Sequence, residues 1–161
     1  MTTEIEKKEE AIKLSGVLTV THLNEKGEVI REDEYKNLIV SAGKAGMASR
    51  LNGDGAEAVF THIAIGTGTT GEAVTQTALA SEITTGGGQR AVASVSRITT
   101  TVTNDTARWI ITFNFTASFA VTESGIFNAA SAGTMLARRV FAAYNVTSGD
   151  ALQFTWRVQA T

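Results

Sequence analysis

Two stretches of this chain decide its fold: WIITFNF at residues 109–115 and LQFTWRV at residues 152–158. In both, large apolar side chains alternate with residues that are mostly polar. A β-strand points successive side chains to opposite faces, so this spacing is typical of a strand with one buried face in an antiparallel sheet. The side chains predicted to face inward are those of Trp109, Ile111, Phe113, Phe115, Leu152, Phe154, Trp156 and Val158.

Further strands are predicted before and between these stretches. They run from residue 16 to turn residues at 24–27, and over residues 28–40, 59–65, 89–103 and 135–141, while the second stretch belongs to a strand over residues 151–160. Between the last strands no strong helical pattern appears, which disfavours parallel strand–helix–strand units. The chain is therefore predicted to be mainly β, as an antiparallel two-sheet sandwich or Greek-key barrel.

One short helix is predicted over residues 41–51. Ser41 can cap its start, and Asn52-Gly53 is a stop signal. Two glycines inside it, Gly43 and Gly46, weaken a helix, so they indicate close packing against a sheet. Residues 75–83 offer a second, shorter helical pattern.

Residues 1–15 are predicted to form an N-terminal arm, and residues 16–161 one β-sandwich domain. The arm is rich in charge. A short helix is possible in it, but a helix of about a dozen residues is marginal alone. Its apolar residues, Ile5, Ile12 and Leu14, are the predicted contacts to a partner. The alternative is a tail with no role.

Composition excludes several classes of function. With 43% hydrophobic and 19% charged residues and a net charge of -2, the chain has the balance of a soluble globular protein. Its 14 Lys and Arg against 16 Asp and Glu form no basic run, so a nucleic-acid partner is not predicted. It has no cysteine, which excludes disulfides and thiolate metal sites. No apolar run approaches the roughly 20 residues of a membrane span, so no membrane partner is predicted.

The glycine-rich segment GTGTTG at residues 66–71 has the spacing of a dinucleotide-binding loop. That chemistry requires a helix directly after the loop and then a second parallel strand. Here a Thr-rich segment runs into Gly86-Gly87-Gly88 instead. Residues 66–71 are therefore predicted to be a surface loop, and no cofactor is expected.

No catalytic or metal-binding residue is predicted, and we expect the chain not to be an enzyme. Its two histidines, His22 and His62, are too few for a three-histidine zinc site. No serine lies in a nucleophile-elbow pattern. The acids in different segments are predicted to be isolated from one another: Glu57, Glu82 and Glu123.

Five segments resemble small virion structural proteins of tailed bacteriophages. They are NLIVSAG at residues 37–43, THIAIGTG at 61–68, TALASE at 77–82, ESGIFN at 123–128 and GTMLAR at 133–138. Their order also resembles the N-terminal attachment domain of phage tail-collar fibre proteins. A fibre continues into a shaft and a receptor-binding tip, whereas this chain ends after the domain.

The resemblance implies a capsid decoration (cement) protein in the virion. Such a protein binds the major capsid protein on the outer shell, usually as a homotrimer, and its arm clasps neighbouring subunits. The outer-loop residues predicted to join in this contact are Thr67, Thr69 and Thr70. Two alternatives stay open: a tail, collar or baseplate adapter, and a carbohydrate-binding sandwich.

Overall fold

A computed structural model of the protein describes residues 11–161. This part of the chain forms ten β-strands and one α-helix. In chain order they are β1 (Leu14–Leu23), β2 (Val29–Lys36), β3 (Leu38–Ile39), α1 (Ser41–Asn52), β4 (His62–Gly66), β5 (Ala91–Val92), β6 (Ser94–Ile98), β7 (Thr106–Asn114), β8 (Phe119–Phe127), β9 (Met135–Val146) and β10 (Ala151–Ala160).

The strands make two five-stranded antiparallel sheets. The first sheet has the order β2-β1-β10-β7-β6, and the second has the order β3-β9-β8-β4-β5. The main apolar core joins side chains of both sheets, so the predicted two-sheet sandwich is confirmed. Within residues 11–161 no helix is long and apolar enough to cross a membrane.

The alternating stretches form the centre of the first sheet. Strands β7 and β10 lie side by side, with Trp109 opposite Trp156. The inward residues of β10 are buried as predicted, and so are Trp109, Phe113 and Phe115, while Ile111 is only partly buried. The pattern alternates because the other face of this sheet remains in contact with water.

Part of the second sheet is covered on both faces, along most of β8 and the start of β9. Every residue of β8 from Val121 to its end is buried. Its inner face contributes to the main core, and its outer face lies beneath residues 67–83, which we call the covering loop. A second, smaller apolar cluster lies under this loop, formed by Val40, Ala64, Leu79, Phe127 and Met135. Burial on both faces removes the alternation by which strands are recognised, and β8 was not predicted.

Helix α1 is confirmed, although its start differs in detail. The capping position is Val40, without a side-chain cap, and the Ser41 amide donates to the carbonyl of Val74 at 2.8 Å. Gly53 ends the helix in the left-handed conformation, at φ 75°. A side chain at Gly43 would overlap the backbone of Leu136, so the predicted close packing is present.

The second helical pattern, over residues 75–83, is wrong as a helix prediction. This segment is irregular backbone with bends, and a bridge near its end joins Glu82 to Gly66. The amides of Ala80 and Ser81, which a helix would bond internally, donate to a side chain of β8 instead. Tertiary hydrogen bonds therefore override the local helical preference.

Two predicted long strands each divide between the sheets. Residues 28–40 form β2 in the first sheet and β3 in the second, and residues 89–103 form β5 and β6 in the same manner. The chain changes sheet at Asn37 and at Ala93. Strand β1 begins at Leu14, opposite Ala160, so Leu14 and Ser15 belong to the sandwich body.

Candidate functional site

The outer face of the second sheet holds a buried ion pair. Glu123 lies on β8 and Arg138 on β9, and both side chains are 0% exposed. The Arg138 Nη2 and Nε atoms donate to Glu123 Oε2 at 2.6 Å and 3.0 Å. Its remaining donors reach Gln76 Oε1 at 2.7 Å and the carbonyls of Thr70 and Gly71. Arg138 thus ties two strands to the covering loop.

The covering loop also binds the Glu123 carboxylate through its backbone. The amides of Gly68 and Ser81 donate to Oε1 at 3.1 Å and 2.7 Å, and the Ala80 amide donates to Oε2 at 3.0 Å. A Cβ atom at either Gly66 or Gly68 would collide with this carboxylate. The glycines of the 66–71 segment therefore let backbone approach an anion, as in a phosphate loop, but the anion is a side chain of the same chain.

Glu123 is predicted to lie apart from the other acids, and within residues 11–161 no acid is among the hydrogen-bond or ion-pair partners of its side chain. What the sequence did not reveal is that it pairs with a base. Both oxygens are filled by donors, so the carboxylate clamps the loop and has no lone pair left for proton transfer. A buried ion pair is tolerated only when its remaining hydrogen bonds are satisfied, and here they are. The available signal was an acid and a base in two short segments, residues 123–128 and 133–138, which also carry Ile126, Phe127, Met135 and Leu136.

The predicted loop contacts lie on the solvent side of this clamp. Thr67, Thr69 and Thr70 are exposed, and the Thr67 hydroxyl donates to Ser81 Oγ at 3.1 Å. Because the backbone beneath them is fixed by Glu123 and Arg138, the three threonines are displayed on a rigid loop. The structure thus brings these three together.

The predicted arm contacts lie elsewhere. Ile12 is 77% exposed, and Leu14 is partly buried against the main core. Ile5 lies outside the described residues, as does most of the predicted arm. Three cavities formed by residues 11–161 are lined by Ile12 or Leu14, and none of these three includes a residue of the 66–71 segment. The described part of the arm and the loop are therefore separate candidate contacts.

An apolar cleft of about 380 Å³ opens at the end of the sandwich where α1 packs. Sequence reasoning missed it, because its walls come from segments far apart in the chain. The indole N–H of Trp109 donates to the carbonyl of Phe60 at 2.7 Å, which leaves the ring wall apolar. The apolar lining residues are Leu14, Met47, Val59, Phe60, Ala107, Trp109, Leu136, Val158 and Ala160.

Charged residues stand at the rim of this cleft. Arg50 and Arg97 are exposed, and within residues 11–161 neither forms an ion pair. Asp105 also lines the cleft, but its carboxylate accepts hydrogen bonds from the backbone amides of residues 100–102. These bonds, led by that of Val102, hold the pKa of Asp105 well below its usual range. The rim therefore carries one carboxylate that stays ionised and two arginines without an ion pair in the described residues, of which Arg50 also donates to the carbonyl of Glu57 at 3.1 Å.

A groove continues from the cleft along α1. Its volume is about 620 Å³, and it shares Leu14 and Met47 with the cleft. Ile12, Leu51 and Lys44 also line it. The chain therefore enters the described structure along an apolar surface that leads into the cleft.

A polar cluster closes one side of the sandwich between β2 and β9. The Tyr144 hydroxyl donates to Asp33 Oδ2 at 2.7 Å, and Arg31 Nε donates to the same oxygen at 2.6 Å. Hydrogen bonds from Tyr144 and Arg31 lower the pKa of Asp33, and burial raises that of Tyr144. The Arg31 guanidinium also stacks over the Tyr144 ring at 3.8 Å. These contacts join the two sheets.

The other acids and histidines that were candidates remain apart. Glu82 pairs with Arg90 at 2.6 Å, Glu57 accepts from Asn128 at 2.6 Å, and His22 lies 3.7 Å from Asp150. His62 contacts the hydroxyl of its neighbour Thr61. Within residues 11–161, no three His, Asp or Glu side chains gather as a metal site would require.

In comparisons with known proteins, no family model, curated protein or solved structure matches this chain.

Proposed function

We propose that this chain is a non-enzymatic structural protein of a tailed-phage particle. It binds the outside of the capsid as a decoration protein, as a homotrimer seated on the major capsid protein. Its work is mechanical: it bridges shell subunits and so resists their separation. The support comes from the resemblance of five segments and from where those segments lie in the fold.

The observation that carries this proposal is that the five segments come together as one structural unit. They supply β3 with the start of α1, β4 with the glycine-rich loop, part of the covering loop, the end of β8 and the start of β9. Glu123 and Arg138, with the amides of Gly68, Ala80 and Ser81, all fall within them. Chance similarity would scatter over the chain, whereas a shared structural unit concentrates it here.

The geometry suits a rigid clamp on a lattice. The threonines of the covering loop are held on a fixed backbone, and a rigid contact loses little conformational entropy on binding. A trimer that touches several capsid subunits makes its later contacts intramolecular, so weak single contacts add up to firm attachment. The N-terminal segment would supply a further contact in the same way.

Cosedimentation with capsids of the parent phage tests this proposal. We expect the protein to bind expanded shells, to bind immature shells far less, and to raise the temperature at which shells open. Replacing Thr69 and Thr70 by glutamate should weaken binding at least about tenfold, since each places a charge at the contact. The matched control is Thr112→Glu, an exposed threonine on the first sheet. Copurification with tails, without binding to any head, would overturn the capsid assignment.

The second candidate is a tail, collar or baseplate adapter. It is favoured by the likeness of the same five segments to the attachment domain of tail-collar fibres. Electron microscopy of virions carrying a labelled copy separates the two, because the label then marks either the head surface or the tail.

The carbohydrate-binding alternative requires an aromatic platform. Trp109 is 7% exposed and Trp156 is 0% exposed, so both tryptophans serve the core. Glycan-array binding that is lost on changing a surface aromatic would favour this alternative. If Trp156→Ala abolished capsid attachment while fold and thermal stability stayed intact, the division between a core of aromatics and binding loops would be wrong.

A further inference from the structure

The cleft at the α1 end has a defined chemistry. Its walls are apolar, and its volume of about 380 Å³ exceeds that of a single aliphatic side chain. Two arginines without an ion pair in the described part of the chain, Arg50 and Arg97, stand at its rim. Asp105 places one carboxylate at the same rim, where it accepts backbone amides, so the two arginines leave the rim with an excess of positive charge. The occupant that fits is an apolar side chain flanked by carboxylates, because burial stabilises the apolar side chain and the arginines attract the carboxylates.

The chain itself contains such a segment. Residues 3–6 read Thr-Glu-Ile-Glu, in which Ile5 stands between Glu4 and Glu6. This segment precedes Ile12 and Leu14, which line the groove and the cleft at the same end of the sandwich. We propose that residues 3–6 bind in the cleft of their own chain, with Ile5 between the cleft walls and the two glutamates at Arg50 and Arg97.

The distance favours the chain's own segment over that of a second copy. Eight residues separate Ile5 from Leu14, and a chain of that length has a root-mean-square span of about 16 Å. A short tether of this kind gives an effective concentration of about a millimolar. A second copy at micromolar concentration competes poorly with it.

Cross-linking of the full chain tests this contact. The chain has no cysteine, so two introduced cysteines and a short bismaleimide give an unambiguous product. We choose Thr3→Cys with Val59→Cys at the cleft, where Val59 is 52% exposed. The matched control is Thr3→Cys with Val29→Cys, since Val29 is 59% exposed and lies opposite Leu23, at the far end of β1.

The expected product is a cross-link between positions 3 and 59 within one chain, migrating as a monomer and formed much faster than the link to position 29. Adding Ile5→Ser should slow it about tenfold or more, because the apolar anchor is lost. Adding Arg97→Glu should slow it about two- to fivefold, as expected for an exposed ion pair, and added salt should do the same.

Three outcomes would overturn the proposal. They are equal rates to positions 59 and 29, a product found only as a dimer, and a rate unchanged by Ile5→Ser. A dimer would assign the cleft to the segment of a second copy. The test uses no capsid, so its result is independent of whether the protein decorates one. Circular dichroism of each variant confirms that the sandwich has formed, since the replaced valines are surface residues.

Discussion

Replacing Glu123 by glutamine removes one charge and keeps the shape of the side chain. In either orientation the NH₂ group of the glutamine, which can only donate, faces groups that are themselves donors. At the Oε1 position it faces the amides of Gly68 and Ser81, and at the Oε2 position it faces Ala80 and Arg138. No rotation of the glutamine satisfies all of these donors, and Arg138 is left as a buried charge without a carboxylate.

The magnitude follows from that burial. Removing one partner of a buried ion pair destabilises a protein by about 3–5 kcal/mol, because the remaining charge is uncompensated. For a chain of this size each kcal/mol lowers the melting temperature by about 2–4 °C, so a fall of roughly 6–20 °C is expected. The matched control is Glu34→Gln, whose pair with Arg157 joins side chains that are 61% and 36% exposed. There we expect a loss below about 1 kcal/mol.

Urea unfolding of both variants measures the free energy of unfolding, and hydrogen exchange shows where the effect lies. The amides of Gly68, Ala80 and Ser81 should lose protection in the Glu123→Gln variant first, since they donate to the carboxylate itself. If Glu123→Gln proves no more destabilising than Glu34→Gln, with these amides still protected, the carboxylate does not hold the covering loop.

Three other predictions concern single positions. Gly68→Ala should destabilise the protein by about 1–3 kcal/mol through collision with the Glu123 carboxylate, whereas Gly71→Ala, with open space around it, should be nearly neutral; equal urea midpoints would contradict this. The lowered pKa of Asp105 means that its stabilisation is complete above about pH 4 and is lost as the pH falls further. The urea midpoint of unfolding should therefore fall below about pH 4, and it should fall less steeply in the Asp105→Asn variant. Equal falls in the two proteins would argue against this role of Asp105. The raised pKa of Tyr144 acts in the opposite sense, so stability should fall as the pH rises above about 10. The phenolate absorbance of Tyr144 should appear only when the protein unfolds. Its appearance in folded protein would refute the raised pKa of Tyr144.

Much of the first sheet was predictable from local pattern. Trp156 and Phe154 alternate with polar neighbours because one face of the sheet packs on the core and the other faces solvent. The sequence of the strand therefore shows this difference directly. Helix α1 was predictable for a similar reason, because Gly53 supplies a local stop signal.

The second sheet was predictable only in part. Strand β8 is buried on both faces, so its residues show no period, and Glu123 within it looked like one of several scattered acids. Its partners lie 15 residues away at Arg138, 42 at Ser81 and 55 at Gly68. Periodicity reports which side of a strand meets water and carries no information about what a distant loop will cover.

What the sequence by itself determined is therefore the two alternating strands, the sandwich class and the helix. The tertiary structure decided that the glycine-rich segment binds Glu123, that Thr67, Thr69 and Thr70 are displayed on a fixed loop, and that an apolar cleft opens beside α1. The physical reason is that alternation and stop signals act between neighbours in the chain, whereas the ion pair and the cleft depend on segments that meet only when both sheets have formed.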